Sequence, residues 1–318
     1  MMINSLKEYK QDLIAAHTRI KKDIHNTPVM TSRLINEIAG CNLYFKCENF
    51  QRMGAFKMRG ALNAIHELSS EQQKLGVVTH SSGNFAQALS LAAKALEINA
   101  YIVMPSNAPK VKIAAVETYG GTVIKCAPTN EAREETAQQI AQTKGATFIH
   151  PSNDRAVILG QGTAAKELYE EIGDFDYLFA PVGGGGLIAG TIIAAQSFSK
   201  KTKVIGGEPF AVDDAFRSLQ TGKIERNETL NTVADGLKTH LGDQNFPIIK
   251  EGVERIIRVE EAEIISAMRL IWERMKIIIE PSCAVPLAAL LKEKNKFKGL
   301  KVGMILSGGN VDLDNLPF

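Results

Sequence analysis

Apolar positions along the chain fall into two alternating rhythms. Short β-branched or aromatic runs, NLYFKCEN, GVVTHS, AYIVMP, TVIKCAP, TFIHPS, YLFAPV, KVIGGE and KVGMILSGG, read as strands. Between them the spacing turns helical: Ile264, Ile265, Met268, Trp272 and Met275 give one segment a single apolar face. That stripe predicts core rather than a cofactor box. Strands separated by helices predict an α/β fold of twisted, mostly parallel sheets flanked by helices.

No internal repeat, low-complexity tract or Pro-rich linker marks a boundary. The βα units from about residue 75 to 150 read as a small inserted α/β domain, with 1–70 and 151–318 together forming the large one. A length of 318 residues is enough for two compact cores, and a cleft between two lobes is a usual place for a ligand. Lys plus Arg number 37 against 35 Asp plus Glu, with no long run of either sign, so neither nucleic acid nor membrane is an expected partner. The expected partner is a small molecule. Cys41, Cys47, Cys126 and Cys283 show no CxxC pair and no zinc spacing, which predicts reduced, buried thiols. The opening MMINSLKEYKQDLIAAHTRIKK lacks the apolar core of a secretory signal and no later run reaches about 18 apolar residues. A cytoplasmic location is the expectation.

Candidate chemistry gathers where strands end. Gly183, Gly184, Gly185 and Gly186 follow YLFAPV and precede LIAGTIIAAQ. Strand, glycine loop and helix make a phosphate-binding arrangement, because without Cβ atoms the backbone approaches an anion and successive N–H groups donate to it. The competing reading is a flexible turn. No Gly-Lys-Ser/Thr follows and the spacing is not GxGxxG, so the phosphate need not belong to a nucleotide. Ser81-Ser82-Gly83-Asn84 lies at a strand-to-helix turn, where its amides and hydroxyls suit a substrate carboxylate; ordinary capping by Ser or Asn explains the motif at least as well. Ser307-Gly308-Gly309-Asn310 ends the last strand, on the side where parallel sheets gather ligands, and a tight turn explains its glycines equally. Lys57 is one lysine among many. Imine chemistry needs a lysine with a lowered pKa or a cationic neighbour, and Phe56, Met58 and Arg59 permit either.

Taken together, FQRMGAFKMRGA, SSGN, GGGG, the Ala234-Asp235-Gly236 turn, Glu280-Pro281-Ser282 and SGGN occur in the order seen in fold-type II pyridoxal-phosphate enzymes. The chain resembles the serine racemase and serine/threonine dehydratase family from about His25 to its C-terminus. The resemblance implies the two-domain, tryptophan synthase β-like fold, pyridoxal 5′-phosphate as cofactor and a homodimer. It implies that Lys57 carries the cofactor as an imine, that Phe56 lies beside it, and that Gly183 to Gly186 cradle its phosphate. Asn84 then hydrogen-bonds the 3′-oxygen, Ser307 meets the pyridine nitrogen, and Gly236 completes the cofactor set. A hydroxyl does not stabilise a protonated pyridinium, so the ring is a weaker electron sink than one facing a carboxylate.

By the same resemblance Ser82 is a second acid/base on the face opposite Lys57, and Ser81, Ser82, Gly83, Asn84 and Phe85 form the substrate turn. A base on each face inverts the α-carbon. Loss of the β-hydroxyl from the same site gives a keto acid and ammonia. Glu208, Val212 through its carbonyl, and Asp214 match the family's divalent-cation loop, and hard oxygen ligands suit Mg2+, Ca2+ or Mn2+; a solvated acidic loop is the competing reading. Lys276 and Asn310 match two positions of a nucleotide site found in animal members, too few to imply an effector. Relatives usually continue SSGN with histidine, where this chain has Phe85. His80, His150 and His240 show no ligand spacing and read as structural, as does Ser152-Asn153-Asp154, although its place after TFIHP also suits a substrate-facing loop.

The expected activity is interconversion of L- and D-serine with associated β-elimination to pyruvate and ammonia. The alternative is a dedicated dehydratase of L-threonine, L-serine or threo-3-hydroxyaspartate. A non-catalytic ligand-binding protein is a remote third, disfavoured because a pure binder needs no imine lysine.

Overall fold

The computed structural model describes residues 9–318. Residues 1–8, which open the N-terminal segment inspected for a leader and the larger expected domain, lie outside the described residues. The strands are β1 (Val29–Met30), β2 (Asn42–Cys47), β3 (Val77–His80), β4 (Ala100–Pro105), β5 (Thr122–Cys126), β6 (Thr147–Phe148), β7 (Tyr177–Pro181), β8 (Lys203–Pro209), β9 (Val253–Val259) and β10 (Lys301–Leu306). They form one sheet of order β1-β2-β10-β7-β8-β9 and another of order β5-β4-β3-β6. Every pairing is parallel except β1 with β2.

All eight runs read from the sequence are strands, and the α/β class with helix-flanked parallel sheets is what the chain adopts. β1 and β9 escaped that reading. β1 is two residues long. β9, VERIIRV, is an edge strand whose Glu254, Arg255 and Arg258 break the apolar run. The middle of the larger sheet is covered on both faces, so β7, β8 and β10 read as continuous apolar stretches.

The helices are α1 (Tyr9–Ile20), α2 (Arg33–Ala39), α3 (Lys57–His66), α4 (Ser70–Leu75), α5 (Asn84–Ala95), α6 (Lys110–Thr118), α7 (Asn130–Lys144), α8 (Arg155–Ile172), α9 (Gly186–Phe198), α10 (Asp214–Thr221), α11 (Phe246–Gly252), α12 (Glu261–Met275) and α13 (Pro281–Lys292). α2, α12 and α13 close one face of the larger sheet; Ile264, Met268 and Met275 of the apolar stripe are buried there, as core. α1, α8, α9 and α11 close the other face. Met58 and Leu62 of α3 join Phe85 and Leu89 of α5 in the core beneath the smaller sheet. The four cysteines are free and buried. Among the described residues no helix is long and apolar enough to cross a membrane.

Helix α8 is the shared support of two elements that matter below. A Cβ on Gly160 would lie 2.6 Å from the Cα of Gly60 in α3, and one on Gly190 of α9 would lie 2.5 Å from the amide nitrogen of Gly162. Only glycine permits such approach, so α3 and α9 are both seated tightly on α8.

Arg59, fully buried on α3, is locked from two sides. Its Nε and Nη2 donate to Glu48 at 2.7 and 2.8 Å, and its Nη1 and Nη2 donate to Glu167 of α8 at 2.8 and 2.7 Å. Nη1 also donates to Thr163 at 3.2 Å. Removing Arg59 takes the cation from buried Glu48, which keeps only the Thr27 hydroxyl, while Glu167 keeps Lys46 and His17; Arg59→Ala is therefore expected to cost about 3–5 kcal/mol in denaturant unfolding. A loss below about 1 kcal/mol would show that the array adds nothing to stability.

Candidate active site

Lys57 is the first residue of α3, and no side chain caps that helix. The segment before it is held instead by the turn that follows β10. Ala55 bridges Gly308, the Phe56 amide donates to the Ser307 carbonyl at 3.0 Å, and the Gly309 amide donates to the Gly54 carbonyl at 2.9 Å. Met53 adopts a left-handed φ of 55° within this loop. The amine is thereby delivered to the carboxyl end of the larger sheet, where ligands of parallel sheets bind.

Lys57 Nζ donates to the Pro151 carbonyl at 2.8 Å. It lies 5.0 Å from the ring centre of Phe56 and 5.6 Å from that of Phe85. Burial lowers its pKa to about 8, with the Glu280 carboxylate acting weakly in the other direction. A useful fraction of the amine is therefore uncharged and nucleophilic near neutral pH.

The SSGN turn opens α5, and here the structure overturns the capping explanation. The N-cap is Gly83, without a side-chain cap, and Ser81 Oγ merely accepts the Gly83 amide at 3.4 Å. Asn84 turns its side chain away from its own helix. Its Nδ2 donates to both oxygens of Glu280, at 3.1 and 3.0 Å, and its Oδ1 accepts from Asn310 Nδ2 at 3.0 Å. Asn310 also reaches the Met53 carbonyl at 2.8 Å, which ties this turn to the lysine loop. Glu280 is buried, and burial raises its pKa to about 7 against the opposing effect of Asn84. Ser82 is half-buried in the same turn, Phe85 is buried, and Ser307 is buried at the end of β10.

Gly183 to Gly186 join β7 to α9 and are buried, so the loop is not a flexible turn. Gly185 has φ 81° and forms the N-cap of α9. Among the described residues, the amides of Gly183, Gly184 and Gly185 have no backbone acceptor. The loop is braced from behind by Asn245, whose Nδ2 donates to the carbonyls of Gly184 at 2.8 Å and Ser152 at 3.1 Å. A Cβ on Gly183 would lie 2.7 Å from Leu237 Cα, so the Ala-Asp-Gly turn packs directly on this loop. The Gly236 amide is taken by Ser282 Oγ at 3.0 Å.

Ser152 and Asn245 were not legible as parts of the site. Ser152 had a hint in its place after TFIHP; Asn245 had none. Asn153 pairs with Asp243 and Gln244, and Asp154 caps α8, so both are structural. His150 Nδ1 accepts the Ser152 and Asn153 amides at 3.2 and 2.8 Å, and burial lowers its pKa to about 4. His80 stacks on Phe148 at 5.3 Å.

Glu208, at the end of β8, and Asp214, at the start of α10, are fully buried, as is Val212 between them. Glu208 accepts the amides of Ala215 and Phe216, each at 2.9 Å. Asp214 accepts from Asn227 Nδ2 at 2.7 Å and from the Leu241 amide at 3.2 Å. Burial raises both pKa values, and the charge of Asp214 adds to the effect on Glu208. Asp213 is turned the other way, onto Arg217 and Arg258, each at 2.7 Å. This cluster is linked to the glycine loop through the segment around Leu241, whose side chain abuts Gly185.

A desolvated lysine, open amides before a helix, and hydroxyls at the ends of β3 and β10 suit an aldehyde that carries a phosphate. The model of the pyridoxal-phosphate dependent enzymes matches residues 20–308. The chain belongs to that family. Members of it with which this pyridoxal-phosphate enzyme aligns over nearly its whole length include the serine racemase of Dictyostelium discoideum, 52% identical over 96% of both chains. The β-hydroxyaspartate dehydratase of Paracoccus denitrificans is 48% identical over 97% of this chain and 98% of its own. The crystal structure of the Dictyostelium discoideum enzyme superposes with a TM-score of 0.92, covering 96% of this chain and 99% of that one.

Proposed function

We propose that this pyridoxal-phosphate enzyme is a serine racemase that interconverts L- and D-serine and also eliminates the β-hydroxyl to give pyruvate and ammonia. The observation that carries the reading is the gathering of three groups around Lys57: its Nζ reaches the Pro151 carbonyl, the neighbouring Ser152 packs on Gly184 and Gly186 of the open glycine loop, and the ring centre of Phe85, next after the SSGN turn, lies 5.6 Å from the amine. The likeness to a racemase at 52% identity supports it.

The cofactor, when bound, acidifies the α-C–H bond of an amino acid by accepting electron density. Lys57 holds it covalently and moves the α-proton on one side. Ser82 moves a proton on the other. Gly183 to Gly186 would hold the cofactor's phosphate through their amides, and Asn84, Ser307, Phe56 and Gly236 would hold its ring. Ser81 to Phe85 receive the substrate carboxylate at the start of α5.

The proposed domains are 1–70 with 151–318, and 75–150; the confinement of the smaller sheet to strands between Val77 and Phe148 supports that division. A homodimer is part of the proposal, checked by sedimentation.

Glu208, Asp214 and the Val212 carbonyl are proposed to hold Mg2+, Ca2+ or Mn2+. Two buried carboxylates whose charges oppose each other fit a cation between them, and Asp213 is already neutralised by two arginines. Binding to the folded state alone stabilises by mass action, about 2.7 kcal/mol at a hundredfold excess over Kd. Chelator is expected to lower the melting temperature by several degrees, with magnesium restoring it, and Glu208→Ala should abolish that response. A melting temperature indifferent to chelator and metal removes the cation from the account.

The second reading, a dehydratase of threo-3-hydroxyaspartate, is favoured by the 48% identity to the Paracoccus enzyme. Keto-acid release from L-serine, L-threonine, L-aspartate and L-threo-3-hydroxyaspartate, compared by kcat/KM, tests the substrate. Serine is expected to lead; a large preference for 3-hydroxyaspartate would establish the second reading.

A further inference from the structure

Lys57 is flanked by two aromatic rings of different standing. Phe56 is its neighbour in the chain and belongs to the lysine motif. Phe85 comes from α5 and is 1% exposed. The half-buried lysine holds its ammonium 5.0 Å from one ring centre, 5.6 Å from the other and 2.8 Å from the Pro151 oxygen.

A phenyl ring acts on an ammonium in two opposed ways. Its face attracts a cation, by about 0.5–2 kcal/mol within ~6 Å, and its bulk excludes the water that would solvate the charge. At 5.6 Å the attraction is near the end of its range, so exclusion of water is the larger effect. The other groups around the amine leave that balance intact. Glu280, from the start of α13, favours the charged form and is shared with Asn84. His150, after β6, has its Nδ1 occupied by two amides. Arg59, on the lysine's own helix, is neutralised by Glu48 and Glu167.

We propose that Phe85 is a positioning residue: with Phe56 it forms an aromatic clamp that keeps water off Lys57 Nζ and holds the amine against the Pro151 carbonyl before any cofactor arrives. This rests on the reading of Lys57 as the cofactor lysine.

The test uses cofactor-free protein, competitively acetylated between pH 6 and 11, with the residue 57 peptide followed by mass spectrometry against the exposed Lys200 as internal reference. The wild-type midpoint is expected near 8. Phe85→Leu keeps the apolar volume and should stay within about half a unit of wild type, on the low side, because only the cation–ring attraction is lost. Phe85→His, which puts a polar ring of smaller apolar bulk in its place, should raise the midpoint by about one unit or more toward the ordinary lysine value of ~10.4. At those pH values the imidazole is uncharged, so repulsion does not obscure the result. Both variants titrating with wild type, or both shifting alike, would overturn the clamp. If Leu perturbs the fold, Phe85→Met serves as the apolar control. Borohydride reduction of the loaded protein keeps the two readings apart: absence of pyridoxyl mass on Lys57 sinks the cofactor assignment, while the labelling midpoints alone decide the clamp.

Discussion

Lys57→Ala is expected to abolish turnover, lowering kcat by about 10⁴-fold or more, since on the proposed reading it removes both the covalent attachment point and the base on one face of the substrate. The fold should survive. α3 is anchored by Arg59 on Glu48 and Glu167 and by the seating of Gly60 against Gly160, none of which involves the lysine side chain. The only hydrogen bond from Nζ among the described residues goes to the Pro151 carbonyl. The check is a keto-acid and D-amino-acid assay on a variant whose melting curve matches wild type, together with borohydride reduction, which should attach no pyridoxyl mass to residue 57. Activity within tenfold of wild type would show that the chemistry does not depend on this amine.

The second large effect belongs to Ser82. Removing a general acid/base costs about 10²–10⁴-fold in the step it serves. If Ser82 moves a proton only on the face opposite Lys57, Ser82→Ala should suppress conversion of L- to D-serine by that factor. Elimination from L-serine, which needs the Lys57 side, should keep its order of magnitude. The turn tolerates the change, because α5 is capped by the Gly83 backbone and the Asn84 side chain, bound to Glu280 and Asn310, is independent of residue 82. Parallel chiral and pyruvate assays separate the outcomes. An equal fall in both activities would undo the two-base assignment and make Ser82 a substrate-binding residue.

Much of this architecture was legible in the chain, for physical reasons that differ from element to element. Strands buried on both faces announce themselves as unbroken apolar runs, which is why YLFAP and KVGMIL were readable and the charged edge strand VERIIRV was not. The glycine loop was readable because four glycines between a strand and a helix have few other uses. Its brace was not, since Asn245 is 59 residues beyond Gly186 and nothing local distinguishes it from any other asparagine.

Lys57 shows the limit more sharply. Nothing in its composition sets it apart; what lowers its pKa is the burial created when the SSGN turn, Pro151 and the post-β10 turn meet around it. The ordered motifs therefore nominated it only as a set. The same holds for Asn84, whose sequence context reads as a cap and whose side chain is instead turned to Glu280, 196 residues away. Glu280 stood in a recognised motif, yet its burial and raised pKa come wholly from tertiary packing.

The central claim is that one site both inverts and eliminates. The direct measurement is a single incubation of the pyridoxal-loaded protein with L-serine and magnesium, with D-serine followed by chiral chromatography and pyruvate by a coupled assay. D-serine accumulating alongside pyruvate is the predicted result. Pyruvate with no D-serine at any time would contradict it and make the protein a dehydratase.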